Sequence, residues 1–173
     1  MNYYLISDTH FNHSKLDDWG GRSGDWQERL WEGMDSILST DTVVHLGDIC
    51  IGNDQEIHDR LSGYAFKKIL VRGNHDKKGV KWYEEHGWDF VCDSFELLYQ
   101  GHYLYFSHRP QPPMSHFTKN IHGHTHGNLH RSEEYTEFYD NSYHIDISPE
   151  VRGFSPLRLD TLLKSFKSVP PKQ

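Results

Sequence analysis

Three short apolar runs, each ending on the same kind of polar chemistry, constrain this chain more than any other feature. Tyr3 to Ser7 (YYLIS) runs into Asp8-Thr9-His10, Thr42 to Leu46 (TVVHL) into Gly47-Asp48, and Lys67 to Val71 (KKILV) into Gly73-Asn74-His75-Asp76. Apolar runs of this length read as strands buried on both faces, the kind that parallel sheets use beneath covering helices. The separations agree: about 40 residues from Asp8 to Asp48, and 26 from Asp48 to Asn74, each leave room for one crossover helix.

The intervening segments supply those helices. Trp26, Leu30, Met34, Ile37 and Leu38 recur at helical spacing, which predicts a helix over Asp25 to Leu38 with Asp25 as N-cap and Glu28 as its capping-box partner. A second helix is expected from Asn53 or Asp54 through Leu61, stopped by Gly63, and a third from Val80 to His86, stopped by Gly87. The polar, glycine-rich Leu16 to Gly24 reads as a loop near the strand ends.

The second half changes character. Phe90 to Cys92, Phe95 to Tyr99, Tyr103 to Ser107, Ile121 to Gly123 and Tyr143 to Ile147 read as five short strands, with Gln100-Gly101 as a hairpin turn. Leu159 to Phe166 predicts a closing helix, and Val169 to Gln173 a frayed tail. The 173 residues suit a single domain with a substantial core, so one domain over 1–173 is expected.

In open α/β sheets ligands collect beyond the carboxyl ends of the strands, where every polar cluster above lies. Two further strand-end stretches join them: Ser107-His108, and His122-Gly123-His124-Thr125-His126. In an extended segment His124 and His126 point to one side, and Gly123 allows other backbone to come close. The set holds Asp, Asn and His but no Cys, a composition suited to a borderline-hard divalent metal. Seven such donors are too many for one ion and about right for two that share a carboxylate.

Composition removes other classes. The net charge of −7 argues against tracking along nucleic acid by a basic surface, without excluding a nucleotide or a nucleic-acid end. No apolar run approaches the ~20 residues a bilayer span needs, so no membrane association is expected. Cys50 and Cys92 are too few for a disulfide framework and read as buried free thiols, which with the absence of a basic, apolar leader points to the cytoplasm.

In their order along the chain, Asp8-Thr9-His10, Gly47-Asp48, Gly73-Asn74-His75-Asp76, Ser107-His108 and Gly123-His124-Thr125-His126 resemble the calcineurin-like metallophosphoesterase superfamily, in its compact bacterial and phage form. The resemblance implies an α/β fold, a four-layer α/β/β/α sandwich of two mixed sheets flanked by helices, and a dinuclear metal centre. By carry-over Asp8, His10 and His126 would hold one ion and Asn74, His108 and His124 the other, with Asp48 bridging. His75 would be a catalytic acid held by Asp76 or by Asp48. The cofactor expected is two divalent ions, manganese first, with iron, zinc, nickel or cobalt as alternatives.

The resemblance departs from the serine/threonine phosphatases at one point: Gly47-Asp48 runs into Ile49-Cys50-Ile51-Gly52, without the Asp-Arg that those enzymes carry. The expected activity is therefore a phosphodiesterase hydrolysing a small phosphoester, a nucleotide or cyclic nucleotide, by attack of a metal-bridging hydroxide. A phosphomonoesterase, a nuclease on nucleic-acid ends, and a catalytically silent metal-binding module are the alternatives. Asn12, His13 and Arg109 are candidate substrate contacts. His122 alternates away from His124 and reads as structural, while Tyr135, Phe138 and Tyr139 suggest a lid or the surface of a homodimer.

Overall fold

The computed structural model describes residues 1–13, 15–16, 22, 24–52, 54–128 and 133–165. Its first half alternates as the apolar runs require: β1 (Tyr3–Ile6), α1 (Trp26–Asp35), β2 (Thr42–His45), α2 (Asp54–Ser62), β3 (Lys67–Val71), α3 (Val80–Glu85) and β4 (Phe90–Cys92). Then come β5 (Ser94–Tyr99), β6 (His102–Ser107), β7 (Lys119–His122), α4 (Glu133–Thr136), β8 (His144–Asp146), α5 (Pro149–Arg152), β9 (Leu157–Arg158) and α6 (Leu159–Lys164).

Two mixed sheets result. The first has the order β4-β3-β2-β1-β9, parallel except for β9, which pairs antiparallel with β1. The second has the order β5-β6-β7-β8, with an antiparallel β5–β6 hairpin and parallel pairing thereafter. The hairpin turns at Gln100 and Gly101, both left-handed at φ 49° and 81°, the backbone twist that a tight hairpin connection favours.

The alternation of side chains along a strand sorts the core into two clusters. Ile6, Val43 and Leu70 face the helices and pack with Trp26, Leu30, Met34, Ile57, Leu61 and Tyr83. Their neighbours Leu5, Val44 and Val71 face the second sheet and pack with Leu104, Phe106, Ile121 and Ile145. The sheets thus lie face to face, with helices flanking. No helix among the described residues is long and apolar enough to cross a membrane.

Several local expectations change. Helix α1 ends at Asp35, and Leu38, placed on its buried face by periodicity, is 65% exposed in the turn that follows. The capping box does not form, since Asp25 has ψ 9° instead of the extended backbone from which a side chain reaches back to the first turn. The closing helix stops at Lys164. Asn53, Phe166 and the tail lie outside the described residues. Cys50 and Cys92 are both free, the first buried and the second half-buried.

Candidate metal centre

The parallel ladder between β1 and β2 continues past the strands into the polar tips. Asp8 N–H donates to Gly47 O at 2.9 Å, His10 N–H to Asp48 O at 3.0 Å, and Phe11 N–H to Ile49 O at 2.9 Å. This continuation sets Asp8 and His10 beside Asp48. Gly123 N–H donates to His108 O at 3.0 Å, which joins the tips of β6 and β7. The two sheets are then locked together, because His108 Nδ1–H donates to Leu46 O at 2.7 Å and His124 N–H to Asp8 Oδ2 at 2.9 Å.

Five of the seven candidate ligands adopt left-handed backbone: Asp8, His10, Asp48, His124 and His126 have φ between 46° and 67°. Non-glycine residues adopt this conformation at a cost, and its concentration at one place marks a site whose geometry the surroundings enforce. Glycines make the close approach feasible. A Cβ on Gly73 would stand 2.2 Å from Asp48 Oδ1, and one on Gly123 would stand 2.1 Å from Asp8 Oδ2.

Two triads emerge. Asp8, His10 and His126 form one and Asp48, His108 and His124 the other, each with a single donor atom per residue and all three atoms within 4.8 Å of one another. In the first, Asp8 Oδ1 lies 3.8 Å from His10 Nε2 and 3.5 Å from His126 Nε2. In the second, His108 Nε2 lies 3.5 Å from Asp48 Oδ2 and 3.1 Å from both Asn74 Oδ1 and His124 Nδ1. Asp48 Oδ2 also stands 3.8 Å from His10 Nε2, so this carboxylate lies between the triads.

The donor set fits cations on its own evidence. Asp8 Oδ2 accepts from Ser7 Oγ–H, His124 N–H and Ser148 Oγ–H, while Asp8 Oδ1 is buried with no hydrogen-bond partner among the described residues. An orphaned carboxylate oxygen in the interior is costly unless a positive charge meets it. At His108 the Nδ1–H bond to Leu46 directs Nε2 toward lone pairs of Asn74 and His124. Burial disfavours charging His108, yet its hydrogen bond to Asp48 and the charges of Asp8 and Asp48 prevail and lift its pKa to about 9. His108 Nε2, Asn74 Oδ1, His124 Nδ1 and Asp48 Oδ2 thus converge on one place, a donor set that suits a divalent cation. Burial holds His10 down to about 3, and burial with the His108 and Arg109 charges holds His124 down to about 4, so both imidazoles present lone pairs.

Around the triads the remaining candidates take distinct positions. Of the two carboxylates expected to hold His75, Asp48 is beside it: His75 N–H donates to Asp48 Oδ1 at 2.8 Å, and the ring Nε2 lies 3.9 Å from Asp48 Oδ2. The Asp76 carboxylate instead accepts from the backbone N–H groups of Asp48, Ile49 and Gly73 at 2.7–3.1 Å, fastening the second and third tips together. The His13 ring is 6.1 Å from that of His10. Asn12 lines an open cleft of about 580 Å³, its backbone N–H donating to Gln27 Oε1. Arg109 borders a smaller recess of about 190 Å³ that Asn74 and His108 also line. His122 is structural as its alternation suggested, fully buried and bonded to Gly123 O and Tyr139 Oη.

Several contributors escape the strand-tip pattern. Asp146, at the end of β8, accepts from Thr125 Oγ1–H and Gly127 N–H and so braces the His124–His126 turn. Ser7, Arg22, Ser148 and Glu150 are the others. Asp146 ends and Ser148 follows an apolar run, and that signal could have found them; Arg22 lies in a stretch of sequence with no periodicity.

Residues 1–139 match the calcineurin-like phosphoesterase superfamily domain. The chain belongs to that superfamily. It is 30% identical over 179 residues to the uncharacterized protein MJ1445 of Methanocaldococcus jannaschii, an alignment covering 93% of this chain and 89% of the relative. Among solved structures, the protein of unknown function AQ665 from Aquifex aeolicus superposes with a TM-score of 0.74 at 23% identity, covering 95% of this chain and 99% of that one. An archaeal phosphodiesterase superposes with a TM-score of 0.50 at 16% identity, covering 86% and 83%. At these identities the structural likeness speaks for the fold. Membership of the superfamily implies divalent metal ions, and the two triads are where this chain's residues could hold them.

Proposed function

We propose that the chain is a dinuclear metallophosphoesterase, a phosphodiesterase acting on a small phosphoester such as a nucleotide or cyclic nucleotide. The observation that carries this reading is Asp48 Oδ2, 3.5 Å from His108 Nε2 and 3.8 Å from His10 Nε2, a single oxygen between two triads. Asp8, His10 and His126 would hold one ion, Asn74, His108 and His124 the other, and Asp48 both. When bound, such a pair supplies an acidified water for in-line attack at phosphorus and positive charge for the entering and leaving oxygens. The mixed carboxylate, amide and imidazole donors suit a borderline-hard divalent ion, for which we take manganese first and iron, zinc, nickel or cobalt as alternatives.

The chain's own residues do the rest. His75 sits at the rim with its side chain 46% exposed, within reach of both solvent and the Asp48 edge, as a group that protonates a leaving oxygen must. Arg109, on the recess beside Asn74 and His108, is placed to orient phosphoryl oxygens, and a guanidinium suits them well. His13 lines the approach near His10. Asn12, directed along the larger cleft, would contact only the substrate's outer part. The phosphodiesterase name of one structural neighbour supports the diester preference, and two unpaired cysteines support a reducing, cytoplasmic setting.

The test is a turnover screen of bis-p-nitrophenyl phosphate against p-nitrophenyl phosphate and a cyclic nucleotide, with Mn²⁺, Zn²⁺, Ni²⁺ and Co²⁺ exchanged into chelated protein. Faster diester turnover that depends on added metal is the expected result. Faster monoester turnover would shift the reading to a phosphomonoesterase, and bound metal without turnover would leave a binding module.

A further inference from the structure

One of the candidate ligands is held from a part of the chain beyond the residues that match the superfamily domain. Glu150, in the first turn of α5, places Oε1 2.9 Å from His126 Nδ1. A carboxylate can only accept, so a proton sits on Nδ1, and the ring is turned with Nε2 toward Asp8 Oδ1 at 3.5 Å. The same Oε1 accepts from Arg22 Nε–H at 2.9 Å, and Arg22 Nη2 stands 2.8 Å from it in the ion pair. Arg22, 2% exposed, also donates from Nη2 to the Asp8 carbonyl at 2.8 Å and from Nη1 to the Thr9 carbonyl at 3.0 Å. One guanidinium thereby ties the carboxylate that orients His126 to the loop carrying Asp8 and His10.

The geometry is not that of a pair formed for stability alone. An arginine–carboxylate bridge prefers two parallel bonds to two oxygens. Here two guanidinium nitrogens and the imidazole converge on Oε1, while Glu150 Oε2 is buried with no hydrogen-bond partner among the described residues. Three nitrogens from two side chains thus share a single carboxylate oxygen.

We infer that Glu150 and Arg22 are positioning residues for the ion at Asp8, His10 and His126: they fix the tautomer and direction of the His126 ring, and so make that ion depend on the chain after residue 139. This rests on the dinuclear reading above. Outer partners that orient a ligating imidazole typically change metal affinity by ~10- to 100-fold.

The experiment is Mn²⁺ titration of full-length, chelated protein by calorimetry, with electron paramagnetic resonance to distinguish coupled pairs from single ions, for wild type, Glu150→Ala and Glu150→Gln. The expected result is one ion bound as in wild type and one weakened ~10- to 100-fold in Glu150→Ala, with loss of the coupled-pair signal. Glu150→Gln, whose amide oxygen still accepts from Nδ1–H, should recover most of that affinity. Glu150→Ala that binds both ions like a two-ion wild type overturns the inference. So does equal weakening of both ions with a lowered melting temperature in chelator in both variants, because that is a structural role. A wild-type chain that takes up no Mn²⁺ overturns the metal-centre reading and this one with it.

Discussion

Gly123→Ala puts the close packing at the strand tips to a direct test. The added methyl would stand 1.8 Å from Ser7 Oγ, 2.1 Å from Asp8 Oδ2 and 2.8 Å from Ser7 Cβ. Comfortable non-bonded separations begin near 3.5 Å, so the carboxylate has to retreat by roughly 1 Å or more. Neither obstacle can yield freely. Ser7 Oγ–H donates to Asp8 Oδ2 and lies 3.3 Å from Leu46 O, so turning it away removes a donor from a carboxylate with no exposed surface. Gly123 cannot back off either, since its N–H is bonded to His108 O at 3.0 Å. Overpacking of this kind destabilises by ~1–3 kcal/mol. A 1 Å misplacement of a reacting group costs on the order of 10²-fold in rate. Urea denaturation in chelator reads the first effect, and Mn²⁺ titration with diester turnover reads the second. Gly79→Ala, where a Cβ meets nothing within 4 Å, is the control expected to leave all three unchanged. A Gly123→Ala protein with wild-type Mn²⁺ affinity and rate would refute the claim that Asp8 is set by this contact.

Three further outcomes follow from the same geometry. Asp48→Asn should weaken both ions together and abolish turnover, read by metal content and rate; two retained ions with a near-normal rate would contradict a shared ligand. His75→Ala should keep both ions while turnover falls by ~10²- to 10⁴-fold, and equal loss of metal would make His75 a ligand instead. Burial holds His58 down to about 4 from 6.5, its Nδ1 accepting from Trp88 Nε1–H at 2.9 Å. Between those values the unfolded chain binds the extra proton, so this stability is whole above pH 6.5 and lost as pH falls toward 4. By about pH 5 the loss is about 2 kcal/mol; urea titrations in chelator should show His58→Gln free of that increment, and an equal acid loss in both proteins would count against it.

Much of the first sheet and its tips could be read from the chain because the relevant information is local. A parallel strand must deliver its last residue to the same edge as its neighbours, so three apolar runs ending in Asp8, Asp48 and Asn74 bring those residues together without knowledge of any distant contact. The same reasoning placed His108 and the His124–His126 turn. It fails where the partner is chosen by tertiary contact. Arg22 has no neighbour in sequence that announces a buried guanidinium, and its role appears only when Glu150, 128 residues on, arrives beside it. Asp76 shows a subtler limit: the family resemblance offered either it or Asp48 as the holder of His75, and three backbone amides converge on the Asp76 carboxylate while Asp48 stands beside the ring. The two-residue β9 carries no strand signal of its own and exists because β1 leaves an edge open to it.

The left-handed residues explain why the centre and the fold cannot be separated. For an L-residue that conformation costs ~1–2 kcal/mol, and a sheet whose tips carried no chemistry would have no reason to gather Asp8, His10, Asp48, His124 and His126 in it. Each is held by a contact that crosses between segments: Asp8 and His10 by the ladder to Gly47 and Asp48, Asp48 by Asp76, His124 by Asp8, and His126 by Glu150. The backbone at Asp8, His10, Asp48 and His124, and the ring of His126, are therefore fixed by neighbours that are candidate ligands or touch one. A perturbation at one tip should propagate to the others through main-chain bonds, even where the side chains share no ion. Cations bound by both triads would tighten the same contacts that hold the two sheets together, since their donors come from tips of each.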